Sequence, residues 1–223
     1  MTDLLIATTN SGKLREIIPI LQETAYRLLT LSDIGRTVPE PEETGPTFAD
    51  NARQKAAGYA GATGLMTVAE DSGLVIDALG GRPGILSARY PGETYPEKFT
   101  NLYKELARQP RPWSARYICA ISLVQSPGSS VQSQSRVQGP ASVPGSLFEC
   151  EGVVEGEIWP DPRGSHGFGY DPIFYFPEYC ATFGEVDDAR KSIVAHRGRA
   201  FRKLRDFLLD PGLWTDPGPW TLD

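Results

Sequence analysis

The sequence predicts an α/β fold built on a mixed sheet with flanking helices. Short apolar runs typical of buried strands alternate with longer segments of helical periodicity. The 223 residues include 40% hydrophobic and 22% charged side chains, which is ordinary for a globular protein. No internal repeat is visible. This length suits one large domain, or two lobes that share a core, without stabilising disulfide bonds.

The first part of the chain alternates between strand and helix patterns. Residues 4–8 (LLIAT) form a predicted strand, and a polar loop leads to a predicted helix from about Leu14 to Glu23. Pro19 should kink or shorten that helix. Residues 47–64 predict a second helix more strongly, because the segment opens with a capping-box pattern, is rich in alanine and ends in glycines.

Two apolar runs, 65–69 and 75–79, predict strands on either side of the acidic sequence Glu70-Asp71-Ser72-Gly73. Asp, Ser and Gly are good turn residues, so the segment 70–73 is predicted to be a turn. Burying charge is costly unless the charge is paired or bound to a metal. The alternative interpretation is therefore a metal site at the end of a strand.

The later elements follow the same alternation. A helix is predicted over 94–109, and strands are predicted over 115–125 and 150–159. A basic helix follows, because the stretch from Ala189 to Arg205 holds seven Lys or Arg residues and no acidic one. Residues 126–146 are rich in Ser, Gln, Gly and Pro and predict a flexible loop, and residues 210–223 predict a surface tail.

The composition argues against several function classes. A formal net charge of −6 disfavours nucleic-acid binding. The three cysteines form no CxxC pair, which is typical of reduced thiols in the cytoplasm, and the two histidines are too few for an imidazole-rich zinc site. With no signal peptide and no apolar run of about 18 residues, we expect a soluble cytoplasmic protein with no membrane partner.

Two segments offer groups that suit phosphates and metals. The sequence TTNSGK, residues 8–13, lies where a strand leads into a helix, so it is either a phosphate-binding loop or an ordinary strand–helix connection. It is not a Walker A loop, because Ala7 and Leu14 stand where that motif requires Gly and Ser or Thr. The sequence EPEETG, residues 40–45, is either a solvated acidic loop or part of an oxygen-ligand set for Mg²⁺ or Mn²⁺.

Two later segments could recognise a base. In HGFGYDP, residues 166–172, Phe168 and Tyr170 could form a stacking platform, although aromatic core packing is the alternative. Near the C-terminus, Lys191, His196 and Arg197 lie on either an exposed basic helix face or a cluster of donors aimed at an anionic or carbonyl-bearing ligand. Together the four segments supply the groups needed to bind a nucleoside triphosphate without a Walker motif.

The order and spacing of these segments closely resemble the Ham1-type inosine triphosphate pyrophosphatases, the non-canonical purine NTP pyrophosphatases. The matching sequences are IATTNSGKLREI, EETGPTFADNARQKA, EDSGLVIDALGGRPGILSARYPG, GFGYDPIF and KSIVAHRGRA. The resemblance implies a mixed α/β fold of two lobes enclosing a central cleft, and a homodimer. It also implies Mg²⁺-dependent hydrolysis of ITP, dITP and XTP to the monophosphate and pyrophosphate, with Mn²⁺ as an alternative ion.

The resemblance also implies roles for particular residues. Asp71 would be the catalytic base and, with Glu43, a ligand of Mg²⁺; the role of Glu70 is left open, because many members carry an aspartate there. Thr9 stands where a glycine is common. The residues that would bind substrate are Thr8, Thr9, Asn10, Ser11, Gly12, Lys13, Lys55, Ser72, Arg89, Phe168, Gly169, Tyr170, Asp171, Lys191, His196 and Arg197.

Two other functions remain open at this point. One is a related pyrophosphatase with another preference, such as the modified pyrimidines of Maf-type enzymes. The other is a nucleotide-binding protein without catalytic activity. The purine-reading segment 191–197 argues against the first, and the presence of Asp71, Glu43 and two suitably placed lysines argues against the second.

Overall fold

Seven strands and five helices make up the computed structural model, which describes residues 1–125 and 145–210. The strands are β1 (Asp3–Ile6), β2 (Arg27–Thr30), β3 (Met66–Ile76), β4 (Ser114–Val124), β5 (Ser146–Ile158), β6 (Phe174–Phe176) and β7 (Ala181–Thr182). The helices are α1 (Ser11–Leu21), α2 (Phe48–Thr63), α3 (Tyr95–Leu106), α4 (Asp188–Val194) and α5 (His196–Leu209).

The strands form one mixed sheet in the order β2-β1-β3-β4-β5-β6-β7. Strand β1 pairs in parallel with β2 and with β3, whereas β6 pairs antiparallel with β5 and with β7. The predicted α/β fold with a mixed sheet and helices is therefore confirmed. Residues 126–144 of the predicted flexible loop and residues 211–223 of the predicted surface tail lie outside the described residues. Strand β5 already begins at Ser146.

Helix α1 begins three residues earlier than the sequence predicts. Asn10 is its N-cap, and the Asn10 side chain accepts a hydrogen bond from the Lys13 backbone N–H at 3.1 Å. Such a cap satisfies a donor that has no partner within the helix, so the helix can start at Ser11. The helix includes Pro19 and ends at Leu21, two residues before the predicted end. Lys13 therefore lies in the first helical turn.

Helix α2 matches its prediction closely. The Thr47 hydroxyl accepts a hydrogen bond from the Asp50 backbone N–H at 3.1 Å, which fixes the start of the helix. Gly64 ends the helix in the left-handed region, with φ of 75°. The predicted helix at 94–109 and the predicted strands at 115–125 and 150–159 are likewise confirmed as α3, β4 and β5.

The predicted turn at 70–73 is wrong, because β3 runs without interruption from Met66 to Ile76. Nine of its eleven residues are buried, as expected for a strand with neighbours on both sides. Two polar side chains in the middle of this strand, Glu70 and Ser72, have an ion-pair and a hydrogen-bond partner described below, which offset the cost of their burial. The sequence pattern shows the polarity of these residues but not their partners.

The predicted basic helix over 189–205 is two helices rather than one. Helix α4 ends at Val194, and Ala195 adopts an extended conformation, with φ of −67° and ψ of 152°, before α5 begins at His196. The exposed-face interpretation is also wrong for Lys191, His196 and Arg197, which are 2%, 4% and 2% exposed. Their burial requires partners, because an isolated buried charge is strongly unfavourable.

The chain divides into two compact units, and the division passes through β3, β4, β5 and α5. Unit 1 comprises Met1–Glu70, Ala120–Cys150 and Ala200–Asp223, and unit 2 comprises Asp71–Cys119 and Glu151–Arg199. Each has its own buried apolar cluster, which includes Leu5, Ala56 and Val124 in unit 1, and the unit 2 cluster is rich in aromatic side chains. Within 1–125 and 145–210, no helix combines the length and the apolar character needed to cross a membrane.

Candidate functional site

In unit 1, the predicted phosphate-binding residues Thr8 to Lys13 connect β1 to α1. The Asn10 backbone N–H donates to the Thr8 hydroxyl at 3.2 Å, and the Asn10 side chain caps the helix. Thr9, Asn10 and Ser11 are exposed, whereas Gly12 is buried. The loop therefore turns tightly into the N-terminus of an eleven-residue helix, which favours anions electrostatically.

Two lysines of unit 1 form ion pairs with glutamates. Lys13 pairs with Glu70, whose side chain is 2% exposed. Lys55 Nζ lies 2.8 Å from Glu43 Oε1, and these side chains are 9% and 17% exposed. Partners of opposite charge hold both ammonium groups at defined positions with little exposure to water. Cations in such surroundings interact strongly with an incoming phosphate.

The acidic loop that carries Glu43 is tied to helix α2. The Gly45 backbone N–H donates to the Asn51 side-chain oxygen at 2.9 Å, and the Thr44 backbone N–H donates to Gln54 Oε1 at 2.9 Å. A side chain at Gly45 would have no room, because a Cβ there would lie 2.5 Å from Cβ of Asp50. The loop is thus held against the first turns of the helix on which Lys55 stands.

In unit 2, the polar part of β3 begins with Asp71 and Ser72. Asp71 is 7% exposed. The Ser72 hydroxyl accepts a hydrogen bond from the Arg197 guanidinium at 2.8 Å, so the residue pairs with one of the predicted base-reading side chains. Because successive side chains of a strand point to opposite faces of the sheet, the side chains of Asp71 and Ser72 have different surroundings.

Asp171 links the aromatic loop, residues 167–170, to helix α4, which carries Lys191. Its Oδ2 atom accepts a hydrogen bond from Lys191 Nζ at 2.6 Å and another from the Phe168 backbone N–H at 2.7 Å. The side chains of Asp171 and Lys191 are 3% and 2% exposed, so this is a buried, charge-assisted contact. One carboxylate therefore fixes both the cation and the start of the loop.

Two cations lie near the ring of Phe168. Lys191 Nζ is 5.1 Å from the ring centroid, and Arg197 Cζ is 5.5 Å from it. Both distances are within the range in which a cation is attracted to an aromatic ring. Unit 2 therefore brings together Phe168, Asp171, Lys191, Arg197 and Ser72. Arg89 lies exposed at the end of the 3₁₀ segment Gly84–Arg89, and these contacts do not include it.

Tyr117 is a residue of this region that the sequence analysis missed. Its ring stacks on His196 with a centroid separation of 4.6 Å and an interplanar angle of 11°. Burial raises the pKa of the Tyr117 phenol well above its ordinary value, and the negative charge of Asp171 raises it further. The phenol therefore stays neutral and gives the imidazole a flat, fixed neighbour. In the sequence Tyr117 is one more aromatic residue of a buried strand, so no local signal could have singled it out.

Gly167 allows the close approach between the aromatic loop and Asp171. Its φ is +70°, and a Cβ there would lie 2.1 Å from Asp171 Oδ2. We expect Gly167→Ala to lower the free energy of unfolding by about 3 kcal/mol, because left-handed strain adds to disturbed hydrogen bonds of a buried carboxylate. The matched control is Gly80→Ala, where φ is +63° and no atom lies within 4 Å of the added Cβ. For this control, urea denaturation should show a decrease of about 1 kcal/mol in the free energy of unfolding. Equal decreases for the two variants would exclude the proposed clash at Gly167.

The carboxylates suit a hard divalent cation. Each unit has carboxylate oxygens of the kind that Mg²⁺ prefers: those of Glu43 and Glu70 belong to unit 1, and those of Asp71 belong to unit 2. Within the described parts of the chain, no three His, Cys, Asp or Glu side chains are grouped as a metal site. One or two carboxylates are nevertheless enough where the phosphates of a substrate provide the other ligands, which is how Mg²⁺ is commonly bound.

Comparison with known proteins agrees with the resemblance seen in the sequence. A dITP/XTP pyrophosphatase of Geobacter sulfurreducens is 43% identical over 211 residues, covering 93% of this chain and 97% of its own. A dITP/XTP pyrophosphatase of Nostoc sp. is 44% identical over 201 residues, with coverage of 90% and 91%. The structure of a HAM1 protein from Coxiella burnetii matches with a TM-score of 0.79 and 37% identity, over 93% of this chain and 98% of the other.

The sequence profile of the Ham1 family matches residues 4–207 of the 223-residue chain. That range includes both lysine–glutamate pairs of unit 1 and the Phe168, Asp171 and Lys191 cluster of unit 2. The chain therefore belongs to the Ham1 family.

Proposed function

We propose that this protein is a hydrolase that converts the non-canonical purine nucleotides ITP, dITP and XTP to their monophosphates and pyrophosphate. The observation that carries the proposal is the cluster in unit 2, where Lys191 and Arg197 lie beside the ring of Phe168 and Asp171 fixes the arrangement. An aromatic face with nearby donors suits a base that carries carbonyl groups. Membership of the Ham1 family and the dITP/XTP pyrophosphatases among its relatives support the same substrate class.

The two lysines of unit 1 are proposed to bind the triphosphate. Lys13 stands in the first turn of α1, and Lys55 stands on α2. Each lysine is held by a glutamate, so only a local exchange of partners is needed when a phosphate oxygen approaches. Neutralising the charge of the leaving pyrophosphate is the main requirement of phosphoryl-transfer catalysis.

Glu43 and Asp71 are the residues proposed to hold Mg²⁺, with Mn²⁺ as an alternative. When bound, the ion would neutralise phosphate charge and acidify a coordinated water. Asp71 is proposed to accept the proton of the attacking water. Burial limits the access of bulk water to its carboxylate.

Selectivity is proposed to rest on hydrogen-bond polarity. Hypoxanthine and xanthine present an acceptor at O6 and a donor at N1, whereas adenine presents the reverse. Donors from His196 or Arg197 would satisfy O6 but would face the amino group of adenine without a partner. Leaving buried polar groups unpaired can discriminate between ligands by about 10⁴-fold. Guanine must be rejected through its 2-amino group, by a clash or by an unpaired donor.

A panel of nucleotides tests the proposed reaction. We expect the purified protein with Mg²⁺ to release pyrophosphate from ITP, dITP and XTP much faster than from ATP, GTP, dUTP or dTTP. The assay should measure pyrophosphate and orthophosphate separately, since their ratio identifies the bond that is cleaved. Equal rates on ITP and ATP, or orthophosphate as the first product, would contradict the proposal.

Metal dependence is a separate expected result. EDTA in excess should abolish pyrophosphate release from dITP. The positive charges of Lys13 and Lys55 are already offset by Glu70 and Glu43, so a divalent ion is needed to neutralise the triphosphate. Addition of Mg²⁺ beyond the chelator should restore the rate, and Mn²⁺ should do so in part. Activity that persists after exhaustive dialysis against EDTA would exclude a required divalent ion.

The oligomeric state and the cellular location of the protein are proposed as well. A cytoplasmic homodimer is proposed from the family resemblance. Light scattering on the purified protein would give twice the mass of the 24.4 kDa chain, and a mass equal to that of one chain would rule out the dimer.

A further inference from the structure

We infer that Tyr95 is a positioning residue for the aromatic loop 167–170 and thereby sets the affinity for the purine base. The inference rests on the proposed function, because it assigns Phe168 of that loop to the base. Tyr95 is the first residue of α3 and lies in unit 2 with the loop. It is 37% exposed.

The side chain of Tyr95 lies beside two consecutive residues of the loop. Its ring meets the ring of Tyr170 edge-on, with centroids 5.3 Å apart and an interplanar angle of 87°. A Cβ built on Gly169 would lie 3.6 Å from Tyr95 Oη and 3.7 Å from Tyr95 Cζ. The phenol therefore lies over Gly169, at a separation that leaves space for about one methyl group.

The loop needs such a support because of its own sequence. Gly167 and Gly169 have φ of +70° and +69°, and glycine has more conformational freedom than any other residue. Phe168 stands between them and is partly exposed. On one side the Phe168 backbone N–H is held by Asp171. Tyr95 limits the free space at Gly169, on the other side of Phe168.

Tyr95 can act as a support because its own position is fixed. The Glu97 carboxylate accepts hydrogen bonds from the backbone N–H groups of Glu93 and Thr94 at 2.7 and 3.3 Å, which orders the start of α3. Lys98 Nζ lies 5.1 Å from the centroid of the Tyr95 ring. Partial burial raises the pKa of the Tyr95 phenol, and the charge of Asp171 raises it further, so the side chain stays neutral.

Tyr170, the other partner of Tyr95, is anchored as well. Its hydroxyl donates a hydrogen bond to the Ser87 backbone carbonyl at 2.8 Å, and the residue is 3% exposed. Phe99 of α3 lies beside both tyrosines, with ring centroids 6.2 Å from Tyr95 and 6.0 Å from Tyr170. Three aromatic rings therefore connect the start of α3 to the end of the loop, and Tyr95 is the exposed member of the three.

The experiment compares Tyr95→Ala with Tyr95→Phe and with Tyr103→Ala. Tyr95→Phe keeps the ring. Tyr103, on the same helix, is a matched control because it is half-buried, donates to the Trp159 carbonyl at 2.7 Å and has none of the loop contacts described above. Amide hydrogen exchange is measured by NMR at Phe168, and the affinities for dIMP and for pyrophosphate are measured by calorimetry. Tyr95→Leu is the second variant in case Tyr95→Ala does not fold.

We expect Tyr95→Ala to accelerate hydrogen exchange of the Phe168 amide and to weaken dIMP binding by about tenfold. That factor is the change in affinity that corresponds to the loss of one aromatic contact. Pyrophosphate binding should not change, and Tyr95→Phe should behave like the unmodified protein. Loop exchange no faster than in Tyr103→Ala, or equal losses for dIMP and pyrophosphate, would overturn the inference. Failure of the unmodified protein to release pyrophosphate from dITP would overturn only the proposed function, since exchange does not depend on turnover.

Discussion

Replacement of Asp71 by asparagine is expected to lower kcat for dITP by about 10²–10⁴-fold, the range that a positioned general base contributes. The asparagine fits the same space at position 71, which is 7% exposed in β3, so the fold should be retained. An amide cannot accept the proton of water at neutral pH. Any weakening of Mg²⁺ binding would add to the loss, because Asp71 is also a proposed ligand.

The measurements should separate these two contributions. The rate of pyrophosphate release is determined at increasing Mg²⁺, and a loss that persists at saturating Mg²⁺ belongs to the proton transfer. Asp77→Asn is the matched control, because Asp77 follows β3 directly but is exposed and pairs with Arg116 at 2.9 Å. That control should keep nearly full activity. If Asp71→Asn were as active as Asp77→Asn, Asp71 could not be the base.

Replacement of Lys191 by methionine is expected to lower the free energy of unfolding by about 3–5 kcal/mol, because it leaves the Asp171 carboxylate buried without its counter-charge. The two side chains are 2% and 3% exposed and lie 2.6 Å apart. Methionine has a similar length and no charge, so the loss reports the missing ammonium group rather than a cavity. The same variant should also weaken dIMP binding, because Lys191 lies beside the Phe168 ring.

Urea denaturation with two further variants tests this prediction. Arg82→Met removes a cation from an exposed pair in the same unit, with Glu105 at 2.6 Å, and should cost less than about 1 kcal/mol. The double variant Lys191→Met with Asp171→Asn should recover much of the loss, because it removes both charges. If Lys191→Met cost no more than Arg82→Met, the buried pair would not stabilise the fold as proposed.

The sequence predicted most of the elements and the family, and it placed the site residues in their order along the chain. Helix α2 was predictable because Thr47 and Gly64 supply local start and stop signals. The strand through Glu70 and Asp71 was not, since adjacent acids favour a turn unless distant partners compensate for their charge. Lys13, which pairs with Glu70, is 57 positions away in the sequence. Local patterns contain no information about such a partner.

The burial of the basic residues near the C-terminus was the second feature that the sequence did not predict. Lys191, His196 and Arg197 have the composition of an exposed basic helix. Only their surroundings distinguish an exposed basic face from a buried cluster of donors. In unit 2, Lys191 is paired with Asp171, which is 20 residues away, and His196 stacks on the ring of Tyr117. Arg197 donates to the Ser72 hydroxyl, which is 125 residues away. Helix periodicity shows which residues share a face, but it does not show what packs against that face.

Patterns along the chain were enough to predict the alternation of strands and helices and the family with the same ordered segments. They also showed which residue types are available for phosphate, metal and base. These properties depend on local propensity and on motif order, both of which are encoded along the chain. The tertiary structure alone decided which charges are paired and buried, and that Tyr95 and Tyr117 support the loop and the imidazole. Those contacts join residues that are far apart in sequence, and their energies depend on exclusion of water, which no local pattern specifies.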